Sequence, residues 1–151
     1  MILDDNLEFC DATPILLTAA TTQLLGDVVD LGTVVRGIGN GRPVYLVLSI
    51  NAAFTAGNTA QFKLASDAQA AIAIDGTSSD HWTSELITSA TGLAGKTFVV
   101  PLPSGTAVPY ERYLGILQIN GATTDFTGGS IDAFLTFDPV GQVPFVADAV
   151  N

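Results

Sequence analysis

The sequence predicts an all-β protein, an antiparallel sandwich or barrel of about eight short strands, and three observations carry that prediction. Apolar residues recur either at two-residue spacing or in short continuous runs. Turn chemistry separates those runs, and nothing in the 151 residues reads as a long amphipathic helix. Fifteen glycines, seven prolines and an apolar fraction of 48% describe a turn-rich chain with enough hydrophobic residues for a core. A chain of this length makes one domain, residues 1–151. Neither an internal repeat nor a linker divides it.

Five segments are strong strands. In "PVYLVLSI" (43–50) only Pro43 and Ser49 are not apolar or aromatic, as for a strand buried on both faces or lying under a partner. "AQFKLA" (60–65) alternates, with Gln61 and Lys63 between Ala60, Phe62 and Leu64. "KTFVVPL" (96–102), "RYLGILQI" (112–119) and "SIDAFLTF" (130–137) follow; in the last, Ile131, Ala133, Leu135 and Phe137 share one face, opposite Asp132, Phe134 and Thr136. Weaker strands fall at "LEF" (7–9), around Ile15–Thr18, at "VVDL" (28–31) and at "SELIT" (84–88). "NGRP" (40–43), "LPSGTAVP" (102–109), "NGATTDFTGG" (120–129) and "DPVG" (138–141) supply the turns and loops. "SDAQAAIAI" (66–74) reads as a loop with room for a helical turn capped by Ser66 or Asp67, because alanine favours helix.

Charge narrows the function classes. Fifteen acidic residues against five basic ones give a formal net charge of −10, which repels nucleic acid and anionic membranes and leaves no basic stripe for a phosphate backbone. Only 13% of residues are charged, and the mean hydropathy is +0.43. Two readings fit such a surface: apolar area covered by another subunit or a large partner, which is favoured, or a surface rich in Thr, Ser, Ala and Gly that raises the mean without forming a patch. Cys10 is the only cysteine, so neither an intrachain disulfide nor a cysteine-based zinc cluster is expected. The opening "MILDDNLEFCDA" lacks the positive charge and apolar run of a signal peptide, and no stretch approaches the ~18 apolar residues of a spanning helix. The expectation is a soluble protein made in the cytoplasm.

Each candidate chemical motif is incomplete. "GIGNG" (37–41) beside Arg36 and Arg42 invites a phosphate-loop reading, but Pro43 and a strand follow where a helix is required. The glycines instead turn the chain between strands, with at least one expected at positive φ. "IDGTSSDHW" (74–82) holds the only histidine and the only tryptophan. Its acidic spacing does not fit a calcium loop, so it reads as a solvated contact loop anchored by Trp82. A Ser/His/Asp triad built on His81 would lack the nucleophile elbow. No enzyme, cofactor or metal site is therefore expected. The interaction candidates are Tyr110 and Arg112 in "YERYLGI" (110–116), of residue types enriched at interface hot spots, with His81 and Trp82 in their loop. Arg36 and Arg42, if partnered, are expected to meet carboxylates. Two arms complete the set: the N-terminal segment 1–12, with Leu3, Leu7 and Phe9, and the tail 139–151, with Val143, Phe145 and Val146, whose prolines exclude a central strand.

The order of these segments resembles the capsid cement, or decoration, proteins of tailed bacteriophages, of the type first seen in a Bordetella phage. The resemblance runs over residues 28–138, from "VVDLG" through "PVYLVLSINAAFTA", "AQFKLASD" and "TFVVPLPSGT". Its most distinctive parts are "ERYLGI" (111–116) and the run Phe126, Thr127, Gly128, Gly129, Ile131, Ala133, Phe134, Leu135. It implies a single jelly-roll-like β-sandwich without cofactor, a dimer or trimer, seated on the outer surface of the virion capsid. There it would bridge neighbouring copies of the major capsid protein, with neither nucleic acid nor membrane as a partner. The region 66–95 matches weakly, so no contact residue carries over there. A second reading, from another functional class, is a carbohydrate- or receptor-binding module of a phage or bacterial fibre, with Trp82, Tyr110 and Tyr113 as an aromatic platform.

Overall fold

Alternation of apolar and polar residues builds nine strands among the residues that the computed structural model describes, which are 5–15, 18–33, 38–56, 59–103, 108–121 and 123–140. They are β1 (Glu8–Pro14), β2 (Thr22–Asp30), β3 (Tyr45–Ala56), β4 (Thr59–Asp67), β5 (Ser79–Thr83), β6 (Ile87–Thr88), β7 (Thr97–Pro101), β8 (Tyr113–Asn120) and β9 (Phe126–Thr136). Short 3-10 turns occupy Asp5–Leu7 and Ile38–Gly41. Among the described residues no helix is long and apolar enough to cross a membrane.

The strands form two antiparallel sheets, ordered β1-β9-β3-β7 and β2-β8-β4-β5, with the two-residue β6 added beside β4. Setting β6 aside, the first strand pairs the last, the second the seventh, the third the sixth and the fourth the fifth. This is one long antiparallel ribbon wrapped on itself, the jelly-roll connectivity, which brings β9 beside β3 and β8 beside β4.

The inward faces follow from the two-residue period. Leu46, Leu48 and Ile50 of β3 and Ile131, Ala133 and Leu135 of β9 meet Phe62 and Leu64 of β4 and Leu114 and Ile116 of β8 in one core. Phe54 closes one end, its ring 6.2 Å from that of Phe62 and 5.7 Å from that of Phe126. Each fully buried Leu, Ile or Phe contributes about 1.5–3 kcal/mol relative to exposure. Buried polar groups are tied: Gln118 Nε2 donates to Asn120 Oδ1 at 2.6 Å, and Asn120 Nδ2 donates to the Thr18 carbonyl at 2.9 Å. A smaller apolar cluster lies apart from this core, where Ala65, Leu117 and Ile72 pack with Leu24 and Val28. Asp67 shapes the loop that brings Ile72 there, accepting from the backbone N–H groups of Gln69 and Ala73.

Five expectations are corrected. β3 and β9 are twelve and eleven residues long, because bulges past Ile50 let the pair bend and continue. Residues 66–74 contain no helical turn: Ser66 and Asp67 finish β4, paired with Leu114 and Tyr113. Within the expected "SELIT" strand only Ile87–Thr88 pairs, whereas Ser79–Thr83, expected in a loop, adds to β4 as an edge strand. Phe137, placed by alternation with the core face, is 55% exposed because β9 ends at Thr136. The expected strand around Ile15–Thr18 does not form over its described residues: Ile15 is buried just past β1, Thr18 opens a turn, and 16–17 lie outside the described residues.

Candidate interaction surfaces

The glycine-rich segment sits at one end of the sandwich. Ile38–Gly41 is a single 3-10 turn, Gly41 has φ +86°, and Pro43 then leads into β3. One turn followed by a strand offers no helix N-terminus for a phosphate, as the residue spacing predicts. The turn instead helps to frame a pocket of about 360 Å³ lined by Ile38, Gly41, Arg42, Pro43, Val44, Pro101, Leu102 and Pro103. Its floor is rigid: Val44 and Leu102 are buried, and the Leu102 N–H donates to the Val44 carbonyl at 2.8 Å.

Arg42 stands exposed at that pocket, with no ion pair among the described residues. The other described cations are taken. Lys63 pairs with Asp80, and Lys96 pairs with Glu85 at 2.6 Å. Arg112 grips Asp30 through two parallel bonds, Nε to Oδ1 at 2.9 Å and Nη2 to Oδ2 at 2.7 Å, and lies over the Tyr113 ring. The hydrogen bonds from Arg112, followed by the Gly32 N–H, pull the Asp30 carboxyl down to about 2. Arg112 thus serves an intramolecular pair at the β2–β8 edge.

His81 belongs to a polar knot between β4, β5 and the approach to β8. Its ring stacks on Tyr110 with centroids 3.9 Å apart, and its Nε2 lies 2.7 Å from Ser66 Oγ. Ser66 Oγ accepts from the Glu111 N–H at 3.0 Å, and Glu111 Oε1 accepts from Ser79 at 3.0 Å. With the Glu111 N–H already donating to Oγ, the Ser66 hydroxyl proton is free to point at an unprotonated Nε2. Burial favours that neutral ring, lowering the His81 pKa against the smaller opposing pull of Asp80 and Glu111. A serine–histidine pair is present, but Ser66 is fully buried, so its oxygen meets no substrate. The pair fastens strand to loop.

The remaining candidates separate by burial. Phe9 and Tyr110 were expected at an interface and are corrected: Phe9 is 1% exposed in the core, and Tyr110 is buried with its hydroxyl donating to the Pro103 carbonyl at 2.9 Å. Leu7 and Trp82 are half-buried against the core, the Trp82 ring 6.0 Å from that of Phe98. Leu3, Arg36, Val143, Phe145 and Val146 lie outside the described residues. Each ring of the supposed sugar platform has another partner: Trp82 has Phe98, Tyr110 has His81, and Tyr113 has Arg112.

Sequence reasoning missed the exposed apolar residues. Ile74, Leu86 and Leu93 are 54–61% exposed in the connections around β5 and β6, and Val140 is 79% exposed past β9. The available signal was position: each stands among Gly, Asp, Glu or Pro in a turn-rich connection, where an apolar side chain has no strand to bury it. A polar groove of about 230 Å³ runs along β1 and β2, where Glu8, Asp11 and Asp27 surround Cys10. Burial pushes the Cys10 thiol up to about 12, and among the described residues no group of His, Cys, Asp and Glu is arranged to hold a metal.

Residues 9–135 match a family model described as Bbp16, a span that begins in β1 and ends one residue short of the end of β9. Among curated proteins none matches the sequence.

Proposed function

The chain belongs to the Bbp16 family, and from that membership we propose that it is a capsid cement protein of a tailed phage. In this reading it binds the outer face of the head and bridges neighbouring major capsid subunits, as a homodimer or homotrimer, without catalysis or cofactor. The observation that carries the reading is the family match itself, which extends over both sheets of the sandwich. The surface supports it. Described lysines and Arg112 are neutralised within the chain, while large apolar side chains stand in the connections at more than half exposure. Such groups lose water favourably against a partner, at about 25 cal/mol per Å² before association costs.

Cementing is a matter of differential affinity. A protein that touches two or more shell subunits converts each later contact into an intramolecular one, so modest single contacts become firm occupancy on an assembled lattice. Free shell subunits offer no such pairing. The fibre-module reading has less support, because Trp82, Tyr110 and Tyr113 each contact a different partner, Phe98, His81 and Arg112, instead of forming one platform. Co-sedimentation tests the proposal: the purified protein pellets with expanded heads and stays in solution with free shell subunits. Failure to pellet with heads would overturn it.

A further inference from the structure

Sheet edges expose unpaired N–H and C=O groups, and proteins guard them with charges, bulges or cover. Apart from the two-residue β6, the strands that end the two sheets are β1, β7, β2 and β5. Three of them are guarded. β1 carries Glu8 and Asp11 and two register shifts, β2 carries Asp27 and Asp30 and one shift, and β5 carries Asp80 beside another. β1 and β2 also close on each other, the Phe9 carbonyl oxygen standing 1.9 Å from where a Cβ on Gly26 would be. β7 is different. Its sequence "TFVVP" (97–101) is uncharged, and its register runs unbroken from Thr97 opposite Ser49 to Pro101 opposite Tyr45. Phe98 and Val100 pack toward the core, whereas Val99 lies on the other face of the sheet, opposite Val47.

The register also fixes which backbone groups are open. The Leu102 N–H donates to the Val44 carbonyl and the Ile50 N–H to the Lys96 carbonyl, both at 2.8 Å. Between these two bonds, antiparallel alternation turns the backbone groups of Phe98 and Val100 toward β3 and those of Thr97, Val99 and Pro101 away from it. Proline has no N–H. The open side therefore offers two donors, on Thr97 and Val99, and three carbonyls. Among the described residues no strand or loop backbone pairs with them.

We propose that β7 is a dimerisation edge, pairing antiparallel with β7 of a second copy across a two-fold axis at Val99 and joining two four-stranded sheets into one of eight. Full overlap of the five residues sets Val99 opposite Val99 and Thr97 opposite Pro101. Each Val99 N–H then donates to the other copy's Val99 carbonyl, and each Thr97 N–H to the other copy's Pro101 carbonyl. Every open donor of the edge is used. Pro101 stands where its missing N–H would have met only the Thr97 carbonyl. The half-buried Phe98, Val99 and Val100 lose their remaining water in the same step. The occupant is a second copy because the strand that fits must itself be open, uncharged and straight, and β7 is such a strand. The inference narrows the oligomer of the cement reading to a dimer, but it stands on the β7 edge alone.

Sedimentation equilibrium and amide exchange read by NMR test this on the full chain. An interface this short belongs to the weak class, so the wild type is studied at about 1 mM, where it sediments as a dimer. Val99→Lys sets two ammonium groups face to face at the axis and sediments as a monomer. Its Thr97 amide exchanges at least about tenfold faster than in the wild type. The Phe98 and Val100 amides, bonded to β3, stay protected in both proteins and show that the variant is folded. Thr97→Pro, a second variant, removes a donor that β3 does not use. It weakens the dimer by about tenfold or more through two lost hydrogen bonds. A wild type that stays monomeric at that concentration would overturn the proposal. So would a dimer that either folded variant leaves at full strength, which would place the interface elsewhere, or a Thr97 amide protected in the monomer. No head is present in any arm, so failure here leaves the co-sedimentation result untouched.

Discussion

Replacing Gly26 with alanine puts a methyl group where β2 of one sheet approaches β1 of the other. Gly26 lies in β2 with φ +61°, and a Cβ built there falls 1.9 Å from the Phe9 carbonyl oxygen and 2.9 Å from Cys10 Sγ. Real Cβ atoms essentially never approach closer than 3.0 Å. The obstructing atom is backbone, so β1 must retreat by about 1 Å and draw the buried Phe9 and Cys10 with it. The left-handed conformation costs alanine about 1–2 kcal/mol, and forcing the core apart costs a further ~1–3 kcal/mol. The total is about 2–5 kcal/mol. Gly41→Ala is the control: its φ is +86°, and nothing lies within 4 Å of the added Cβ, so only the ~1–2 kcal/mol conformational cost applies. With a urea m-value of about 2 kcal/mol/M, the midpoint falls by ~1–2.5 M for Gly26→Ala and by ~0.5–1 M for Gly41→Ala. Equal midpoints for the two variants would refute the close approach of β1 and β2.

Two further outcomes follow from the titratable groups. Burial lowers the His81 pKa below 6.5 in the folded chain, so the unfolded chain takes up that proton first on acidification. Stability from the neutral ring is complete above pH 6.5 and is lost as pH falls through the folded value. The Asp30 contribution, with its carboxyl at about 2, is lost only below pH 3.8. Urea midpoints should therefore fall between pH 7 and 5 in the wild type and stay flat over that window in His81→Gln; parallel curves would contradict the Ser66–His81 tie. Cys10, moved from 9.0 to about 12, has its thiolate fraction reduced on the order of a thousandfold. Iodoacetamide at pH 8 should leave the native chain unlabelled and label it in denaturant; rapid native labelling would place Cys10 outside the core.

Much of the sandwich was legible because a two-residue period survives wherever one face is buried. "AQFKLA" declared Phe62 and Leu64, and "SIDAFLTF" declared Ile131, Ala133 and Leu135. Strand length was not legible, since bulges let β3 continue through Asn51 and Ala52, residues without strand character of their own. β5 was hidden for a related reason. "SDHWT" pairs by its backbone with β4, and its half-buried edge position imposes no alternation. The candidate site divided along the same line. Residue type marked Tyr110 and Arg112 for an interface, whereas Tyr110 contacts Pro103 and His81 and Arg112 grips Asp30, all within the chain. The pocket beside Arg42 joins residues some sixty positions apart, Val44 and Leu102, whose adjacency exists only through the β3–β7 pairing.

Cementing is tested most directly by the heat stability of the heads themselves. Expanded heads without the protein are titrated with it, and the temperature of shell disruption is followed as bound copies accumulate. A ligand that binds only the assembled state raises that temperature by mass action, so the temperature should rise with occupancy and level off when the lattice is full. Full occupancy with an unchanged disruption temperature would contradict it.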